Sequence, residues 1–187
     1  KPIAGADVTV AEGDEAPWRL TLLCRDRTGY LALSRLVSRA WLEGHRTDGV
    51  VLRPDWLQQD ECGGLFALAG RHSLAGRLAT SNRHELAEAW LMDWRGVFGE
   101  RLHLELTRTG REGEDAFNAF ALHASNARSL PVIASNDVRF IDAEGFDAHE
   151  ARVCIASGRV LDDPKRPKDY SAEQFLKSSE DMQALFA

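Results

Sequence analysis

Two periods of apolar residues run through the chain, and together they predict most of its elements. Residues 3–10 (IAGADVTV) alternate weakly and predict a strand ending near Asp7, and 18–26 (WRLTLLCRD) predicts a second. From Thr28-Gly29 the period lengthens: Leu31, Leu33, Val37, Ala40 and Trp41 recur at helical spacing until Gly44. The connection VVLRPDWLQQ is irregular, with a helical turn after Pro54. GLFALAG (64–70) is a short apolar run, as in a strand covered on both faces. Two helices follow, SLAGRLAT and 85–98, the second carrying Leu86, Trp90, Trp94 and Val97 on one side. RLHLELTR (101–108) alternates strictly, with Leu102, Leu104 and Leu106 on one face and His103 and Glu105 on the other. A helix over 114–130, a buried strand from Pro131 to Ala134, and a helix from Gly145 to Gly158 complete the pattern. The tail offers two helix starts, Ser171 and Ser179, each with an acid in its first turn, Glu173 and Asp181.

Strands alternating with helices predict an α/β fold around a parallel sheet, with its ligand site at the strand C-termini. Asp7, Arg71, Arg108, Asn136 and Asp137 fall at or just past such ends. Neither GxGxxG nor GxxxxGK[ST] occurs, which argues against the usual nucleotide folds.

Composition narrows the function. The 187 residues are 44% apolar with a net charge of −6, enough for one proper core and a poor match to a nucleic-acid backbone. Direct nucleic-acid binding is therefore not expected. No apolar run approaches a membrane span and no signal peptide is evident, so a cytoplasmic location is expected and no membrane partner. Cys24, Cys62 and Cys154 form no C-x-x-C pair and read as reduced, buried thiols. The chain opens on KPIAGADVTV without an initiator Met, so further sequence is expected before it.

The most informative chemistry lies in ASNDVRFI. Asp137 follows a strand, and Arg139 stands two residues on, where a histidine would complete an Asp-x-His ligand pair. Arginine has no free lone pair and stays protonated, so it cannot ligate a metal. His149 and Glu150, after Asp147, could be ligands but read as rim or capping residues. Ser135 with His149 lacks any sign of an activated nucleophile. Trp90 and Trp94 have core spacing. Lys165-Arg166-Pro167-Lys168 is flanked by Asp162, Asp163 and Asp169 and reads as a docking loop rather than a phosphate grip.

KPIAGAD, LTLLCRDRTGYLALSRLVSRAW, LELTRTGR, LPVIASNDVRFID, FDAHEARVCIASG and LDDPKRPKDYS together resemble the PHP (polymerase and histidinol phosphatase) domain of bacterial DNA polymerase III α subunits. The resemblance spans nearly the whole chain and is to the Gram-negative replicative type. It implies a distorted (β/α)7 barrel, incomplete because the first strands, including a His-x-His strand, would precede Lys1. It places the barrel segment in residues 1–160, and in 161–187 a charged loop and helices leading toward the polymerase core. Active members hold a metal cluster. At the positions corresponding to its ligands stand Asp7 for glutamate, Arg19 for histidine, Arg71 for cysteine, and Asp137-x-Arg139 for Asp-x-His. With three of five positions arginine, the resemblance implies no catalytic residue and no metal or cofactor in this segment. Magnesium would belong to the polymerase site downstream. The implied role is a scaffold within a DNA polymerase (a nucleotidyltransferase of DNA replication). Its partners would be the rest of the α chain and the proofreading exonuclease subunit. The alternative is an active metal-dependent phosphoesterase.

Overall fold

The computed structural model describes residues 2–47 and 49–187. Strand β1 (Gly5–Val10) pairs with β2 (Trp18–Cys24), which leads into helix α1 (Arg27–Glu43). The short pair β3 (His45–Arg46) and β4 (Gly49–Val50) precedes a 3-10 turn at Pro54–Trp56, then β5 (Leu65–Ala69). Next come α2 (Leu74–Thr80), α3 (His84–Phe98), β6 (Leu102–Thr107), α4 (Glu114–Arg128) and β7 (Val132–Ser135). Helices α5 (Phe146–Ser157) and α6 (Ser179–Phe186) end the chain.

The main sheet has the order β1-β2-β5-β6-β7. The β5–β6 and β6–β7 pairs are parallel, but β2 is antiparallel to both of its neighbours, which corrects the expectation of a wholly parallel sheet. The short link between β1 and β2 allows a hairpin but no crossover, which accounts for the first of these two antiparallel pairs. Reversing β2 leaves β1, β5, β6 and β7 pointing the same way and brings the start of β2, with Arg19, to their C-terminal end. Among the described residues the sheet is open, with β1 and β7 as its edges and no closed barrel.

Strict alternation gives the strands two faces. Trp18, Leu20 and Leu22 of β2, and Leu102, Leu104 and Leu106 of β6, are buried in the core. Helices pack along the sheet, α1 against β2 and β5, α3 against β5 and β6, and α4 against β6 and β7. The Trp18 ring meets Trp90 and Trp94 edge-on, at 5.1 and 5.3 Å, so the tryptophans of α3 serve packing. At the N-terminus of α1 the Asp26 carboxylate accepts the Gly29 N–H at 3.0 Å. Gly29 itself is obligatory there, because a Cβ would lie 1.9 Å from the Gly64 carbonyl oxygen.

Four further expectations change. Asp7 lies in mid-strand rather than at a strand end, since β1 continues to Val10. Val132, Ile133 and Ala134 are exposed, because β7 is an edge strand. Cys24 is only partly buried, unlike Cys62 and Cys154. No helix starts at Ser171. Instead 174–176 runs as an extended segment, with the Leu176 N–H donating to Phe140 O at 3.0 Å and Phe175 bridged to Phe140. The backbone carbonyls of Glu173 and Phe175 accept the Asn136 side-chain amide, both at 2.7 Å, and that tertiary pairing overrides the local helix signal. The second start is real: Ser178 and Asp181 form a reciprocal capping box on α6.

Candidate functional site at the strand ends

The polar faces of β2 and β6 and the loops after β5, β6 and β7 enclose a cavity of about 330 Å³. Asp7, Arg19, Arg71, Asp137 and Arg139, separated widely in sequence, all line it. His149 and Glu150 do not. They are buried in α5 rather than at a rim, because the charged loop folds over them. Glu150 pairs with Arg166, and the His149 ring meets Tyr170 edge-on at 4.5 Å. Burial first, then Arg152, holds the His149 imidazole below its ordinary value. Arg166 is thus turned inward, and Asp163 accepts from the backbone N–H of Lys165 at 2.9 Å.

Asp137 is the centre of the cluster. Its backbone is left-handed, with φ 41°, a conformation that costs an aspartate on the order of 1 kcal/mol. Surrounding bonds impose it. Arg139 donates to Oδ1 at 2.6 Å and Arg111 to Oδ2 at 2.6 Å. Gln174, fully buried, donates to Oδ2 at 3.1 Å and to the Asp137 carbonyl at 2.9 Å. The Arg139 backbone N–H returns a bond to the Gln174 carbonyl at 2.8 Å. Arg19 stays 4.0 Å from Oδ2, beyond hydrogen-bond range.

Arg111 is positioned from behind by Glu114 at the start of α4. That buried carboxylate accepts the Thr109 N–H and hydroxyl, both at 2.6 Å, the Thr107 hydroxyl at 3.0 Å and Arg111 Nε at 3.1 Å. Burial alone would raise its pKa, but these bonds outweigh burial and hold it below the ordinary range. Glu105 shows the opposite balance. It accepts the Ser135 hydroxyl, at 2.6 Å, and burial pushes its carboxyl up. Gly70 makes room for it, since a Cβ there would lie 2.6 Å from Glu105 Oε2.

Asp7 is held loosely. The Thr21 hydroxyl donates to it at 2.6 Å, and Arg19 lies 3.9 Å away. Among the described residues Arg71 has no carboxylate within ion-pair distance, and it donates to the Glu112 carbonyl at 2.6 Å. Sequence reasoning missed Arg111, Glu114 and Gln174. The first two carry a visible signal, an i, i+3 charge pair opening a helix directly after a strand. Gln174 carries none, because its role depends on a chain return from far along the sequence.

Among the described residues no three His, Cys, Asp or Glu side chains are placed to hold a metal ion. The guanidinium groups of Arg19, Arg71, Arg111 and Arg139, which are charged donors, share the cavity with the carboxylates of Asp7, Glu105 and Asp137.

Comparison with known proteins bears on this geometry. The chain is 63% identical over 188 residues to the DNA polymerase III subunit alpha of Xylella fastidiosa (strain Temecula1), and 42% identical over 190 residues to that of Escherichia coli (strain K12). It is 40% identical over 189 residues to the subunit of Pseudomonas aeruginosa. In each case all of this chain is matched, and it spans 16% of the relative's length. The family profile described as the PHP domain matches residues 1–109, more than half of the chain. A sheet whose strand ends converge on Asp137, with this match, shows that the chain belongs to the PHP domain family.

Proposed function

We propose that the chain is the PHP-domain segment of a replicative DNA polymerase III α subunit, in which guanidinium groups have taken the place of metal ions. One observation carries the reading: both carboxylate oxygens of Asp137, at a ligand position of the family, accept from arginines at 2.6 Å. A carboxylate site emptied of metal needs another cation, and a planar, permanently charged fork supplies it. The segment would then act as a non-catalytic scaffold. In the longer protein the open sheet would be completed into the distorted (β/α)7 barrel. Residues 161–187 would lead toward the polymerase core, and an outer surface would help dock the proofreading exonuclease subunit. DNA-directed DNA synthesis, with magnesium, would lie outside this segment, in the cytoplasm. No described helix is long and apolar enough to cross a membrane.

Elemental analysis of the chain after incubation with zinc or manganese and desalting tests this. The expected result is far less than one metal per chain. Stoichiometric retention, accompanied by phosphoesterase activity that an Asp137→Ala variant loses, would establish the metal-dependent phosphoesterase instead.

A further inference from the structure

The charged loop between α5 and the 171–176 segment lies over one face of that helix, and few groups hold it there. Of residues 161–170 only Asp163, Arg166 and Tyr170 are not exposed. Asp163 ties the loop to itself, accepting from Arg159 at 3.0 Å and from the Lys165 N–H at 2.9 Å. Arg166 and Tyr170 reach α5. The Arg166 guanidinium pairs with buried Glu150, and the Tyr170 ring lies edge-on to buried His149, with the Arg139 guanidinium 5.7 Å from its centroid. Both ends of the loop are fixed separately, by the Arg159 N–H on the Cys154 carbonyl at 2.9 Å and by the Ser171 hydroxyl on the Thr109 carbonyl at 2.6 Å.

His149 has a defined tautomer. Arg152 lies 3.1 Å from Nδ1, and a guanidinium only donates, so Nδ1 accepts and Nε2 carries the ring proton. Nε2 is buried without a hydrogen-bond partner, and the rings of Phe140 and Tyr170 lie 5.6 and 4.5 Å from the imidazole centroid. A second proton would have to go onto Nδ1, replacing an accepted bond by a donor that faces the Arg152 guanidinium. The other charges nearby give little relief. Arg139 adds to the repulsion, and the neighbouring anion, Glu150, is already held by Arg166. The closed loop therefore disfavours an imidazolium, and an open loop lets water solvate it. We propose that the loop is an acid-released strap: a proton taken up by His149 frees residues 159–170 from α5 while the sheet stays folded. Burial first, then Arg152, depresses the imidazole in the closed state, which sets the direction of the response. Well above the ordinary value of about 6.5 the ring is neutral in both states and the strap is closed. As pH falls below that value toward the depressed one, the open state takes up the proton first and the closed state is destabilised.

Hydrogen exchange of the chain across this range, corrected for the intrinsic pH dependence of amide exchange, tests the proposal. Opening of 159–170 is expected to rise on acidification, by up to about tenfold per pH unit below about 6.5, with the amides of β6 unchanged. In His149→Phe, which keeps a ring against Tyr170 but takes no proton, opening should not respond to pH over the same range. Arg166→Gln removes the tie to Glu150 and should raise opening at every pH, with β6 still protected. Should His149→Phe lose protection in β6, His149→Gln takes its place, since its amide oxygen can accept from Arg152 without titrating. An acid response that persists in the non-titrating variant would put the proton on another group, such as Glu150, and overturn the proposal. So would opening that is unchanged by pH in the parent chain, or that spreads to β6.

Discussion

Asp7 and Asp137 face one cavity from two strands, and the protein treats them differently. The Asp137 side chain is 15% exposed and its two oxygens accept from three side chains, Arg111, Arg139 and Gln174. The Asp7 side chain is 40% exposed, with a threonine hydroxyl on one oxygen and Arg19 at 3.9 Å from the other. Arginines stand near both, so the presence of a cation does not account for the contrast. Reach does. Arg139 shares the loop of Asp137, and Arg111 is braced by Glu114, whereas Arg19 stands between the two aspartates and hydrogen-bonds to neither. A charge pair becomes structural where its fork is pre-positioned and shielded from water, and remains a surface pair where it is not.

The sharpest way to break this comparison is Arg111→Ala. It leaves Asp137 and buried Glu114 without their shared cation and should destabilise by about 3–5 kcal/mol in urea unfolding. A loss below about 1 kcal/mol would show that the cluster is not structural. Glu114→Gln should cost about 1.5–3 kcal/mol at neutral pH, through lost charge-assisted bonds. Its pH dependence has a defined sign. Because the Glu114 pKa is lowered in the folded state, its stabilising effect is present above the ordinary value of 4.5 and is lost as pH falls through the depressed value. The gap between variant and parent should therefore close on acidification, and a gap that widens would contradict the assignment.

Gln174→Ala removes the buried amide that ties the 171–176 segment to Asp137, at a cost of about 1–3 kcal/mol. Hydrogen exchange should show the loss first at the amides of Arg139 and Leu176, which donate across this junction. Uniform loss of protection across the sheet would mean that the junction is not a separate unit. A double-mutant cycle on Asp137 and Arg139 should give a coupling above about 1 kcal/mol, and additivity would reduce Arg139 to a bystander. The smallest effect is assigned to Arg19→Ala, within about 1 kcal/mol, with a near-additive cycle against Asp7. Coupling there as large as at Asp137 would erase the distinction between the two aspartates.

Much of this protein was legible in the order of its residues. Periods of two and of about 3.6 located the strands and helices of the main sheet, since burial of one face is a local property of spacing. The five positions Asp7, Arg19, Arg71, Asp137 and Arg139 could be named together from their motifs, and they do line one cavity. What spacing could not settle was partnership. Whether β2 runs with or against its neighbours depends on which strands it meets: a short link closes a hairpin with β1, while β5, reached through α1 and a long segment, also pairs antiparallel. Val132 and Ile133 look like a buried strand, yet an edge position exposes them. The residues from Ser171 carry a helix signal worth little by itself, and two bonds from Asn136 outbid it. Above all, residue type fixed which charges Asp137 could attract, while only the fold brought Arg111 and Gln174 within 2.6 and 3.1 Å and left Arg19 at 4.0 Å. Hydrogen bonds and buried ion pairs depend on tenths of an ångström and on excluded water, and both are set by how distant segments close on one another.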